Sequence, residues 1–218
     1  MAERPVFIPN FSGFRLVDEV MVEFKWHPGM AASQKMKNVD ELHHAASMRG
    51  IGPLLEVSSK AASESGRKLS AFSLKVLLEG RDIPLECAFQ GSKVFENGGP
   101  YTDLYWGDSR DAKRDPRLKE SGKLVGFRFG ERDFPLTPAT AFYDWMYFRA
   151  LYPYRDWIVK VGERCSAFTD IEFNPSRSIN CQARSLALSI SLLKRNLADD
   201  AIKSFEDFVG ILAPQTLN

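Results

Sequence analysis

The sequence predicts a helix-rich α+β domain with a small sheet, on three observations. The segment from Cys181 to Lys194 is apolar at helical spacing, through Ala183, Leu186, Ala187, Ile190 and Leu193. Strand-like runs are short and scattered among such helices rather than alternating with them as βαβ units. No G-x-G-x-x-G fingerprint is present, which disfavours a dinucleotide-binding fold. At 218 residues the chain fits one domain with a substantial core, read here as an N-terminal extension over 1–50 packed on a main domain over 51–218.

The elements follow in order. Alternation at Leu16, Val20, Val22 and Phe24 predicts a strand. Asn38 with Glu41 three residues on resembles a capping box, opening a helix through His43 and Met48. Leu54–Val57, Leu69–Leu77, Leu124–Phe129 and Phe168–Phe173 read as strands. Thr137 before Pro138 reads as the cap and first position of a helix through Phe142, Trp145 and Met146. Asp199 is expected to cap a last helix whose stripe is Ile202, Phe205, Val209 and Leu212.

Composition excludes several classes. There are 29 basic and 28 acidic side chains, a formal charge of +1. That balance disfavours coating nucleic acid by bulk electrostatics while leaving room for a local phosphate site. No apolar run approaches the roughly 18–20 residues of a membrane span, so no membrane association is expected. Met1 to Asn10 lacks the basic and apolar regions of a signal peptide. Cys87, Cys165 and Cys181 are odd in number and widely separated, which points to free thiols in the cytoplasm. His27, His43 and His44 are the only histidines, and the adjacent pair would point about 100° apart on a helix, so no metal site is expected.

The segment from Ile83 to Asn97 carries the chemistry. Read as one helix, it places Glu86, Gln90, Lys93 and Asn97 on a polar stripe about 60° wide, flanked by Leu85, Cys87, Phe89 and Val94. A narrow polar stripe in an apolar helix reads as the lining of a cavity; the plain alternative is a solvent-facing Glu86 and Lys93. In a cavity, burial would raise the glutamate pKa and lower the lysine pKa, with their attraction opposing both. Downstream, Arg110 to Lys123 carries six basic residues against three acidic ones, either a phosphate site or a solvated loop. Asp170 and Glu172 would share one face of a strand, either as a second pair of site carboxylates or exposed at an edge.

These residues carry a resemblance. LECAFQGSKVF, followed twenty residues after Lys93 by Ala112-Lys113-Arg114, resembles the NADAR (YbiA-like) family, with its Glu-x-x-x-Gln-x-x-Lys helix and Ala-Lys-Arg segment. Leu69-Ser70-Ala71-Phe72 is similar to the family's Leu-Ser-Asn-Phe, with Ala71 in place of Asn. Asn180 and the helix after it resemble the family's Gly-x-Asn-x-Leu-Gly close, although the usual Asp-x-x-Trp-Gly before it is missing. The N-terminal Val22-Glu23-Phe24-Lys25-Trp26 and the phrases GGPYTDLY and FTDIEFNPSRSINCQA are similar to one branch, the antitoxins found beside DarT-type DNA ADP-ribosyltransferase toxins.

The resemblance implies a YbiA-like fold and an N-glycosidase that removes ADP-ribose from guanine in DNA, with a DarT-type toxin as functional partner and no cofactor. It implies Glu86 as the anion or general base facing an oxocarbenium-like transition state. Lys93 is either the amine that attacks the anomeric carbon or a positioning group. Asp170 and Glu172 are the candidate second carboxylates, and Ser70, Phe72, Gln90, Lys113, Arg114 and Asn180 the candidate ADP-ribose contacts. Two other readings stay open: a glycosidase of a small ribosylated metabolite, as in the riboflavin-intermediate branch, and a non-catalytic protein that neutralises a toxin by contact.

Overall fold

The computed structural model describes residues 1–213; residues 214–218, the end of the expected main domain, lie outside the described residues. Strands β1 (Ala2–Pro9) and β2 (Val17–Phe24) form an antiparallel hairpin in register from Ala2↔Phe24 to Pro9↔Val17. Helix α1 (Ala32–Ser47) begins seven residues earlier than expected, so Asn38 and Glu41 lie inside it rather than at its start. Both instead hold the segment before the helix. The fully buried Asn38 donates to His27 O at 2.9 Å and accepts the His27 N–H at 2.7 Å, while Glu41 pairs with the His27 ring at 3.0 Å.

Strand β3 (Leu54–Glu56) falls where expected, and the short helix α2 (Glu64–Lys68) is capped by Ser63. The expected strand Leu69–Leu77 is mostly a turn. Only Lys75–Leu78 (β4) pairs, against β5 (Arg81–Pro84). The preceding residues fold back on themselves through Ser73 N–H and Leu74 N–H to Ser70 O, at 2.8 and 2.9 Å. This turn is needed by helix α3 (Leu85–Gly91). Pro84 offers that helix no side-chain cap, so the Leu85 and Glu86 amides donate instead to Leu74 O and Ala71 O, at 2.8 and 3.1 Å.

The single helix expected over Ile83–Asn97 is corrected: α3 ends at Gly91, and Lys93–Phe95 is strand β6. Ser92 turns its hydroxyl back to Ala88 O at 2.6 Å, and β6 then pairs with β7 (Leu124–Phe129), which matches expectation. Between them lie α4 (Ser109–Arg114), capped by Asp108, and α5 (Arg117–Glu120). A Cβ at Gly91 would lie 2.6 Å from the Tyr105 ring, so only glycine admits that close approach to α3.

β8 (Arg132–Phe134) completes the sheet β6-β7-β8. Helix α6 (Ala141–Leu151) starts after Thr140, not at Thr137-Pro138 as expected, and the Thr140 hydroxyl donates to Asp144 at 2.7 Å. Every α6 residue but Arg149 is buried, and Phe142 stacks on Phe127 at 4.4 Å. After α7 (Arg155–Arg164), strand β9 (Ala167–Thr169) is shorter than expected. Asp170 and Glu172 therefore sit on the turn that follows it, not on one strand face. Helix α8 (Gln182–Lys194) begins one residue after the expected Cys181, which is its cap. The expected last helix divides into α9 (Ala198–Ala201) and α10 (Phe205–Leu212), with Ser204 rather than Asp199 capping the second.

The main sheet runs β2-β1-β9-β3, with β9 parallel to β3 and antiparallel to β1. The N-terminal hairpin thus continues the sheet from which the Asp170 turn emerges. α8 packs against β1 and β9 of this sheet and α6 packs on α8, the two helices joined by Ser185 and Arg184 to the buried Asp144 at 2.5 and 2.6 Å.

Candidate active site

Glu86 lies in the first turn of α3 with 4% exposure. Gln90, one turn on, donates from Nε2 to Glu86 Oε1 at 2.8 Å and accepts from Lys93 Nζ at 2.6 Å. Lys93 reaches this chain from β6, so three members of the predicted stripe meet although the helix has ended; Asn97 is exposed and lies outside the group. Burial pulls the Lys93 pKa down to about 8; the Glu86 charge opposes that shift and Lys113 adds to it. Its ammonium also lies 4.9 Å from the centre of the Phe89 ring.

A cleft of about 940 Å³ opens over Glu86. Arg110, Lys113 and Arg114 of α4 form one wall, with Lys113 Nζ 3.8 Å from Glu86 Oε1 and 5.4 Å from the centre of the Phe72 ring. The turn after β9 supplies Asp170, Glu172, Arg177 and Asn180, and the N-terminal part of the fold adds Arg4, Trp26, Lys35 and Lys60. Seven basic side chains thus face three carboxylates, an excess the near-neutral whole chain conceals. Asp170 is 8% exposed, and burial raises its pKa above the ordinary carboxylate range while Gln182, the Glu172 amide and Lys113 oppose. Glu172 is largely turned outward and ion-paired with Lys35.

A sequence model of DarT1-associated NADAR antitoxins matches residues 2–218. The chain belongs to this family. No curated protein matches it. Membership makes it an antitoxin of the DarT1-associated kind, with a DarT toxin as its functional partner. Among the described residues no helix is long and apolar enough to cross a membrane, and no group of three or more His, Cys, Asp or Glu side chains is arranged to hold a metal ion.

In this NADAR protein the candidates divide by position. Glu86, Phe72, Lys113, Arg114, Asp170, Glu172 and Asn180 line the cleft. Lys93 and Gln90 stand behind Glu86 and do not line it. Ser70 is fully buried, its hydroxyl accepting the Phe72 N–H at 3.2 Å, so it shapes the turn that presents Phe72. Tyr101, Tyr105 and Trp106, on the segment that follows β6, are all absent from the cleft. Arg117 is drawn away from it by Asp103 and Asp115.

Sequence reasoning missed Arg4, Tyr143 and Gln182. Tyr143 lines the cleft from α6, and burial together with the Glu86 charge holds its phenol well above the usual pKa, so it remains a donor. Gln182 had only its place in the first turn of α8 to mark it. Arg4 had no signal beyond its place beside Glu3 at the start of a strand whose remainder is apolar.

Proposed function

We propose that this protein hydrolyses the N-glycosidic bond between ADP-ribose and guanine in DNA, reversing the modification made by a DarT-type toxin. The observation that carries the reading is Glu86: a buried carboxylate, oriented by Gln90, at the floor of a large and predominantly basic cleft. Such a cleft suits a ligand with a pyrophosphate, for which Lys113, Arg114 and Arg110 are the donors.

In this reading the ribosyl C1–N bond breaks, its electron pair goes to the guanine nitrogen, and the sugar carbon becomes cationic. Glu86 stabilises that cation and takes a proton from the water whose oxygen bonds to C1. Asp170 gives the departing nitrogen its proton, a role supported by the upward shift that burial imposes on its pKa. Solvent then carries the proton from Glu86 back to Asp170, leaving free ADP-ribose and unmodified guanine. Lys93 touches Glu86 only through Gln90, which supports positioning as its role. Any attack by an amine on the anomeric carbon belongs to Lys113, the lysine that both lines the cleft and lies beside Glu86.

The test is to incubate the purified protein with an oligonucleotide ADP-ribosylated on guanine, in chelator, and to read the oligonucleotide by mass. Loss of the ADP-ribose mass with wild type and its retention with Glu86→Gln are expected. Retention of the adduct by folded wild-type protein would refute the reading.

A further inference from the structure

We propose that Trp26 and Arg4 form a second subsite of the cleft, which stacks the nucleobase of a phosphate-linked nucleotide away from the reacting sugar. The identity of that base as the adenine of ADP-ribose rests on the hydrolase reading above.

Two cation–aromatic pairs line the cleft. One is Lys113 over Phe72, beside Glu86. The other is Arg4 over Trp26, with the guanidinium carbon 5.3 Å from the ring centre. Asp170, in the same cleft, interacts electrostatically with both Arg4 and Lys113. A ligand with a base at each end and two phosphates between offers the complementary features, two faces to stack and two anions to pair.

Trp26 is 37% exposed, although an aromatic of its size is normally buried where the fold allows. The exposure does not come from a loose segment. The β1–β2 register sets Phe24 opposite Ala2, and the Phe24 ring meets Trp26 edge-on at 6.0 Å. On the other side, Asn38 clamps both backbone groups of His27, and Glu41 holds its ring. Trp26 is thus fixed from before and after while its ring faces the cleft. A flat apolar surface held in place loses little freedom when a base stacks on it. Arg4 supports the assignment independently, because its Nε is buried and has no hydrogen-bond partner within the chain. That spare donor suits a ring nitrogen or a phosphate oxygen.

The experiment titrates wild type, Trp26→Ala, Trp26→Phe and Glu86→Gln with AMP, ribose 5-phosphate and an unmodified oligonucleotide. AMP should bind wild type and Glu86→Gln alike, about tenfold or more weakly to Trp26→Ala, and nearly normally to Trp26→Phe. Ribose 5-phosphate should not distinguish Trp26→Ala from wild type. With ADP-ribosylated oligonucleotide, Trp26→Ala should raise KM by about tenfold and change kcat by less than about threefold. Equal AMP affinity for wild type and Trp26→Ala overturns the subsite. Weakened oligonucleotide binding with unchanged AMP binding overturns the adenine assignment. Trp26-dependent AMP binding by a protein that leaves the adduct intact supports the subsite and refutes the hydrolase reading alone.

Discussion

Gln182 Nε2 donates a 3.0 Å hydrogen bond to Asp170 Oδ2. The same side chain accepts the Ala71 N–H at 2.8 Å, and Ala71 O accepts the Glu86 N–H at 3.1 Å. One amide at the start of α8 therefore sets the Asp170 turn relative to the backbone that carries Glu86. Gln182→Leu removes both bonds at similar volume. It should lower kcat by about 10- to 100-fold, since small misplacements of reacting groups have effects of that size. Stability should fall by about 1–3 kcal/mol for the unpaired Ala71 amide, read by denaturant unfolding. Unchanged kcat would show that Asp170 needs no such support.

Glu86→Gln keeps the shape of the side chain and a hydrogen-bonding amide toward Gln90 while removing the charge. Hydrolysis should fall by about 100- to 1,000-fold or more. The circular dichroism spectrum should be unchanged. Activity within tenfold of wild type would remove Glu86 from the centre of the mechanism.

The two lysines should separate kinetically. Lys93→Met frees Gln90 Oε1 and should lower kcat by about tenfold or more with little effect on KM, as expected of a group acting through Gln90 and Glu86. Lys113→Met should raise KM as well, because Lys113 lines the cleft. Borohydride trapping during turnover followed by peptide mapping should label no peptide at Lys93; a Lys93 adduct would reverse the assignment.

A buried chain of polar groups predicts how stability varies with pH. Glu56 accepts from the Thr169 hydroxyl at 2.8 Å and from the Ile171 amide at 3.0 Å, and His43 Nε2 lies 2.8 Å from the same hydroxyl. Burial, with the Asp170 charge adding to it, raises the Glu56 pKa from 4.5 to about 8. Across that window the folded state keeps a proton that the unfolded state has lost, so Glu56 makes stability fall as pH rises. Burial lowers the His43 pKa from 6.5 to about 4, so across that window the unfolded state holds the extra proton and stability rises with pH. The two oppose below pH 6.5, and above it Glu56 acts without His43. The thermal midpoint should therefore decline between pH 6.5 and 8 in wild type, and less steeply in Glu56→Gln. An identical decline in both proteins would exclude Glu56 as its source.

The parts of the fold legible in the sequence were those whose signal is local. Leu124–Phe129 and the helix ending at Lys194 fell where periodicity placed them, because the alternate Phe127 and Phe129 of the strand and the spaced Ala183, Leu186, Ala187 and Ile190 of the helix are buried. Signals that a partner elsewhere could claim were misread. Asn38 and Glu41 have the spacing of a cap, yet they serve the His27 segment from inside α1. Residues 69–74 are apolar enough for a strand, yet the carbonyls of Ala71 and Leu74 are taken by the uncapped start of α3 and that of Ser70 by the turn itself.

For the site, the sequence by itself determined which groups are available: the Glu86–Gln90–Lys93 spacing, the Lys113-Arg114 pair, and motifs specific enough to indicate the family. Their arrangement was decided by tertiary structure alone. The pairing of β6 with β7 ended the helix and put Lys93 behind Gln90 rather than in the cleft. The shared sheet brought Arg4, and with it Trp26 just after β2, more than fifty residues upstream of Glu86, into the same cleft as Lys113. Long-range strand pairing and the hydrogen bonds of one buried glutamine leave no periodicity in the chain, so only the folded molecule reveals them.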